Sequence, residues 1–142
     1  MRFWDSSALV PLILDEPTTE AARDLISSDA EVAVWIMTSV ELLSAVARLV
    51  RAADGLEDLA PALRSDVLQL TSRVSTVADV DAVRRRAERL VSMHPLSAAE
   101  AMQLAAALVG CGDRPELLPL VTLDRPLARS AQLEGFQVLM PG

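Results

Sequence analysis

Residues 32–37 read VAVWIM, an unbroken apolar run rich in β-formers. A strand with one face in water alternates apolar and polar residues. A continuous run belongs to a strand covered on both sides. Residues 117–123 (LLPLVTL) hold a second such strand. Shorter apolar segments at 2–5 (RFWD), 74–77 (VSTV) and 136–140 (FQVLM) complete a set of five. Helical stretches separate them. The spacing predicts helices over residues 6–14, 18–28, 38–53, 58–71, 79–93, 97–109 and 125–133. Asp54-Gly55 and Gly135 stand where two of these helices stop. The order is β-α-α-β-α-α-β-α-α-β-α-β. Strands alternating with helices require a parallel sheet layered by helices on both faces. With 142 residues and no internal repeat or low-complexity tract, one domain over 1–142 is expected. The helices predicted at 38–53 and 58–71 form a hairpin with apolar surface to spare.

Four carboxylates recur at one kind of position in this pattern. Asp5, Glu41 and Asp124 each follow a strand-like run where a helix begins, and Glu100 falls in the first turn of a helix. Each has a purely structural account. Thr38-x-x-Glu41 and Ser97-x-x-Glu100 fit capping boxes, and Asp5 and Asp124 suit N-cap positions. Taken singly, each acid is explained by capping. Taken together, they face one edge of an open α/β sheet, the edge where ligands bind. Two unit charges about 4 Å apart repel by roughly 4 kcal/mol at an effective dielectric near 20. A divalent cation relieves that repulsion, and oxygen-only ligands suit Mg²⁺ or Mn²⁺. Ser6 and Thr122 stand beside the acids, where a hydroxyl would orient a carboxylate. For the neighbouring Ser39, ordinary turn bonding is expected.

Composition removes several alternatives. All thirteen basic residues are arginine. Without lysine there is no ordinary P-loop and no Schiff-base chemistry. Cys111 is the single cysteine, which excludes a disulfide framework and a cysteine zinc site. The lone His94 adjoins Pro95 with no nucleophile motif nearby, and a surface position at a helix end is expected for it. Arg84, Arg85, Arg86 and Arg89 read as a solvated face paired with Asp81 and Glu88. Arg125 and Arg129 follow Asp124 and are the better candidates for phosphate contact. A net charge of −7 argues against broad nucleic-acid binding and suits a basic protein partner. No apolar stretch is long enough to span a membrane, and the chain start lacks a signal-peptide pattern, so a cytoplasmic protein is expected.

Four segments resemble the motifs of PIN-domain ribonucleases, most closely the VapC-type toxins of toxin–antitoxin pairs. They are FWDSSALVPL, TSVELLSAVARL, HPLSAAEAMQLAAAL and LVTLDRPLARSAQLEGFQVL, which carry Asp5, Glu41, Glu100 and Asp124 in order. The resemblance implies a three-layer α/β/α sandwich with parallel strand order 3-2-1-4-5. It implies Mg²⁺- or Mn²⁺-dependent hydrolysis of RNA phosphodiesters, with the four acids holding one or two ions. It also implies a homodimer and a small antitoxin with a basic tail, for which the apolar hairpin surface is suited. The chain departs from the pattern where Glu100 replaces the usual aspartate and Gln103 stands where histidine is common. The glutamate favours an alternative: a catalytically weak or inactive PIN-like module that binds RNA or protein without cutting. A DNA-directed nuclease would carry the same acids, and a protein whose acids only cap helices would need none of this chemistry.

Overall fold

A computed structural model describes residues 1–142. Five short strands alternate with seven helices: β1 Arg2–Trp4, α1 Ser6–Ile13, α2 Thr19–Ser28, β2 Val32–Trp35, α3 Thr38–Ala52, α4 Ala60–Ser72, β3 Ser75–Val77, α5 Val80–Met93, α6 Ala98–Gly110, β4 Leu120–Val121, α7 Arg125–Leu133 and β5 Val138–Leu139. All strand pairs are parallel, in the order β3-β2-β1-β4-β5. The chain starts in the middle of the sheet, builds outward through β2 and β3, then returns to the other side of β1. The switch point therefore lies between β1 and β4, as the resemblance implied.

Period-two alternation sends neighbouring side chains of each central strand into opposite layers. Trp4, Val32, Val34 and Val121 pack with Leu9, Leu42, Val46 and Val67 under α1, α3 and α4. Phe3, Ala33, Trp35 and Leu120 pack with Val83, Leu90, Leu104 and Leu127 under α5, α6 and α7. Helix α6 is buried almost all round, and its run of small alanines allows close approach to the sheet and to α5. The outer helix α4 buries only Val67 fully.

The strands are shorter than the apolar runs that announce them. Only residues 32–35 of the 32–37 run are buried. Ile36 and Met37 are 40% and 46% exposed, because β3 ends opposite Trp35 and only the Ile36 N–H still reaches it, donating to the Val77 carbonyl at 3.0 Å. Met37 becomes the cap residue of α3, and Thr38 lies inside the helix. In the 117–123 run, Pro119 and a 3₁₀ turn at Pro115–Leu117 leave a two-residue strand. Gly135 adopts φ +101° after α7 and lies against Pro115, where a Cβ would come within 3.0 Å of the ring.

Two other readings change with tertiary contact. His94 is not a surface residue: its side chain is 7% exposed, and its Nε2 meets Glu134 Oε2 at 2.8 Å. Glu134 also receives Arg89 at 2.7 Å, which draws its carboxyl below the usual range and ties the end of α5 to the end of α7. The arginine face of α5 is divided. Arg84 meets Asp81 and Glu88 as expected, whereas Arg86 reaches Asp113 on the loop after α6. Cys111 is buried at the end of α6, where desolvation raises its thiol pKa, consistent with an inert bystander. No helix is long and apolar enough to cross a membrane.

Candidate active site

Asp5 is the residue after β1, and its backbone N–H donates to the Val121 carbonyl at 3.0 Å. That bond continues the β1–β4 ladder one step past the strands and sets Asp5 beside Thr122. Thr122 Oγ1 then donates to Asp5 Oδ2 at 2.8 Å and accepts the Asp124 N–H at 3.0 Å. Ser7 completes the grip. Its hydroxyl and N–H both donate to Asp5 Oδ2, while its oxygen accepts the Leu123 N–H at 2.9 Å. All protein hydrogen bonds to the Asp5 carboxylate fall on Oδ2, so Oδ1 is the oxygen left for a ligand.

Asp5 is 4% exposed. Burial pushes its pKa up from 3.8 to about 6; the Ser7 and Thr122 hydrogen bonds oppose the shift, and the charges of Glu41 and Asp124 add to it. The fold thus brings Glu41 and Asp124, from two other elements, within electrostatic reach of Asp5. Asp124 caps α7 through Oδ1, which accepts the Leu127 N–H at 2.8 Å, and Oδ2 accepts no protein hydrogen bond.

Glu41 does not close the capping box that its sequence suggests. With the cap shifted to Met37, its carboxylate is free to bond to neighbouring helices. One oxygen accepts Ser6 Oγ at 2.6 Å and the other accepts Gln103 Nε2 at 3.0 Å. Glu100 does the reverse. It forms the full capping box with Ser97, accepting the Ser97 N–H at 2.8 Å, and so faces its own helix start. No three acidic, histidine or cysteine side chains close around a single point. The acids do not form a finished cage, and of the four only Glu41 lines a groove. Their donor chemistry still fits a hard divalent cation, since every group is an oxygen and Asp5 Oδ1 and Asp124 Oδ2 are uncommitted.

A groove of about 440 Å³ runs from this edge along α1 and α3, lined by Ser6, Ser7, Glu41, Ser44, Arg48 and Ala99 among others. Arg48 is exposed and makes no ion pair. Its place seven residues after Glu41, two helical turns along the same face, is a signal that sequence reading missed. Ser7 was also missed as a member of the site, and Gln103 was noted only as a departure from the family pattern; the tertiary contacts disclose what each one holds. Arg125 and Arg129 are exposed on α7 and carry no ion pair. Ser39 makes no side-chain hydrogen bond.

The chain matches the model of the PIN domain family over residues 2–133. It belongs to the PIN domain family. Solved structures agree on the fold of this PIN domain. A toxin–antitoxin complex from Klebsiella pneumoniae aligns with TM-score 0.70 at 15% identity, covering 100% of this chain and 98% of the other. FitAcB from Neisseria gonorrhoeae aligns with TM-score 0.69 at 20% identity, over 99% and 98% of the two chains. PAE2754 from Pyrobaculum aerophilum aligns with TM-score 0.65 at 21% identity, over 98% and 87%. A search of curated proteins finds no match to this PIN domain.

Proposed function

We propose that this PIN domain is a metal-dependent endoribonuclease toxin that hydrolyses RNA phosphodiesters and is held silent by a small cognate antitoxin. The observation that carries this reading is that Glu41 and Asp124, from two other elements, both stand within electrostatic reach of Asp5 at the β1–β4 switch point. Asp5, Glu41, Asp124 and Glu100 would hold Mg²⁺ or Mn²⁺, Glu100 after leaving the Ser97 N–H. The ion supplies charge neutralisation at the phosphoryl group and activation of the attacking water.

The chain's own residues have separable tasks. Thr122 and Ser7 fix Asp5 through Oδ2 and leave Oδ1 without a protein partner, and Ser6 holds one oxygen of Glu41. The exposed arginines Arg48, Arg125 and Arg129 offer phosphate contacts in an otherwise acidic molecule. An apolar groove of about 250 Å³ between α3 and α4, lined by Leu43, Ala47, Val50 and Ala60 with Arg51 and Arg64, supports docking of an antitoxin segment. The Klebsiella neighbour is itself part of a toxin–antitoxin complex. Exposed Ile36, Met37, Val40 and Val80 beside the cleft support a homodimer. The expected setting is the cytoplasm.

The decisive experiment compares cleavage of an RNA and a DNA of equal sequence, with Mg²⁺, with Mn²⁺ and with chelator. Metal-dependent internal cuts in RNA, leaving 5′-phosphate and 3′-hydroxyl ends, are expected. Equal cutting of DNA, or cutting that survives chelation, overturns the assignment. The engagement of Glu100 with Ser97 favours one second reading, a PIN-like module that binds RNA or protein and cuts weakly or not at all. RNA binding without cleavage in the same assay would establish it.

A further inference from the structure

We propose that Gln103 is a positioning residue that fixes the carboxylate of Glu41, working as a pair with Thr38; this rests on the nuclease reading of the cleft. Gln103 comes from α6, whereas Thr38 and Glu41 lie one turn apart on α3. Its Nε2 donates to Glu41 Oε1 at 3.0 Å and to Thr38 Oγ1 at 3.1 Å. Both amide hydrogens are thereby used. The second oxygen of Glu41 is held by Ser6 from α1. Each carboxylate oxygen is therefore held from a different helix, and the plane of the group is set.

Packing does not explain the choice of residue. Gln103 is 1% exposed, Thr38 is fully buried, and Gln103 Oε1 is buried with no hydrogen-bond partner. A buried carbonyl left unpaired costs free energy that an apolar side chain of equal volume would avoid. Nor can the amide turn over to satisfy it, since that would aim a carbonyl oxygen at the Glu41 carboxylate. The arrangement makes sense if the N–H donor to Glu41 is what the position must supply. Gln103 does not line the groove that Glu41 borders, so it acts through Glu41 and not on substrate.

The test uses Gln103→Met together with Thr38→Val, which replaces both buried partners by apolar groups of matching shape. Three quantities are measured on wild type and variant: melting temperature, Mn²⁺ affinity by calorimetry, and kcat and KM for RNA cleavage. The expected variant melts within about 3 °C of wild type or higher. Its Mn²⁺ affinity falls by about tenfold, and kcat falls at least as far while KM stays within about twofold. Unchanged Mn²⁺ affinity and kcat would overturn the proposal. So would a loss of both accompanied by a melting drop of about 10 °C or more, which would make the pair a purely structural one. A wild-type protein that neither binds Mn²⁺ nor cuts RNA would remove the nuclease reading, and this role with it. A wild type that does both, beside a variant that equals it, would remove this role alone.

Discussion

Thr122 Oγ1 donates a 2.8 Å hydrogen bond to Asp5 Oδ2 across 117 positions of sequence. The bond is possible because β1 and β4 are neighbours at the switch point of the sheet. It holds a buried carboxylate whose pKa stands near 6, and would stand higher without it.

Thr122→Val removes this donor and also the acceptor of the Asp124 N–H. A hydrogen bond to a charged group contributes about 1.5–3 kcal/mol. Unfolding in denaturant at pH 7.5 should show a loss of that order, with RNA cleavage falling at least tenfold. Thr122→Ser keeps the hydroxyl and should recover most of both. Equal behaviour of the two variants would show that the hydroxyl is irrelevant.

Asp5→Asn should stabilise the metal-free protein while abolishing cleavage. The folded pKa of Asp5 is raised from 3.8 to about 6, so the folded state binds more protons than the unfolded state within that window. The favourable contribution is present below pH 4 and is lost as pH rises through 6. At pH 7.5 the ionised group costs about 3 kcal/mol. The stability gap between Asp5→Asn and wild type should therefore be widest above pH 7 and close as pH falls towards 4, read from denaturant midpoints. A gap independent of pH would contradict the raised pKa.

Glu100→Gln separates capping from metal binding. Glutamine serves in a capping box as glutamate does, so stability should change by less than about 0.5 kcal/mol. If Glu100 turns into the cleft to hold the ion, cleavage should fall tenfold or more and Mn²⁺ affinity with it. Wild-type cleavage by this variant would confine Glu100 to its bond with Ser97.

Arg125→Ala with Arg129→Ala should leave the melting temperature unchanged, since neither residue makes an ion pair. RNA affinity should weaken, and its logarithmic dependence on salt should flatten by about one unit for each phosphate no longer neutralised. Adding Arg48→Ala should flatten it further if the groove beside α3 carries the strand. An unchanged salt slope would exclude these arginines from the interface.

Much of the fold was legible because covered strands and amphipathic helices write their periods into the chain. The runs at 32–37 and 117–123 announced buried strands, and the stop at Gly135 matched the end of α7. Strand lengths were not legible. Apolar character continues through Ile36 and Met37, but pairing stops where the partner strand stops. The acids were legible as a set, whereas their individual roles were not. Glu41 and Glu100 occupy the same local pattern, Thr/Ser-x-x-Glu, yet only Glu100 closes the capping box.

Sequence alone determined the alternation of strands and helices, the absence of lysine chemistry and the placing of four acids at helix starts, because each depends on residues close together along the chain. Tertiary structure decided which oxygens those acids leave free. Asp5 is gripped by Ser7 and by Thr122 from β4's end, and Glu41 is claimed by Ser6 and Gln103. Most of these bonds link groups dozens of positions apart, so their geometry exists only once the sheet and its flanking helices have packed.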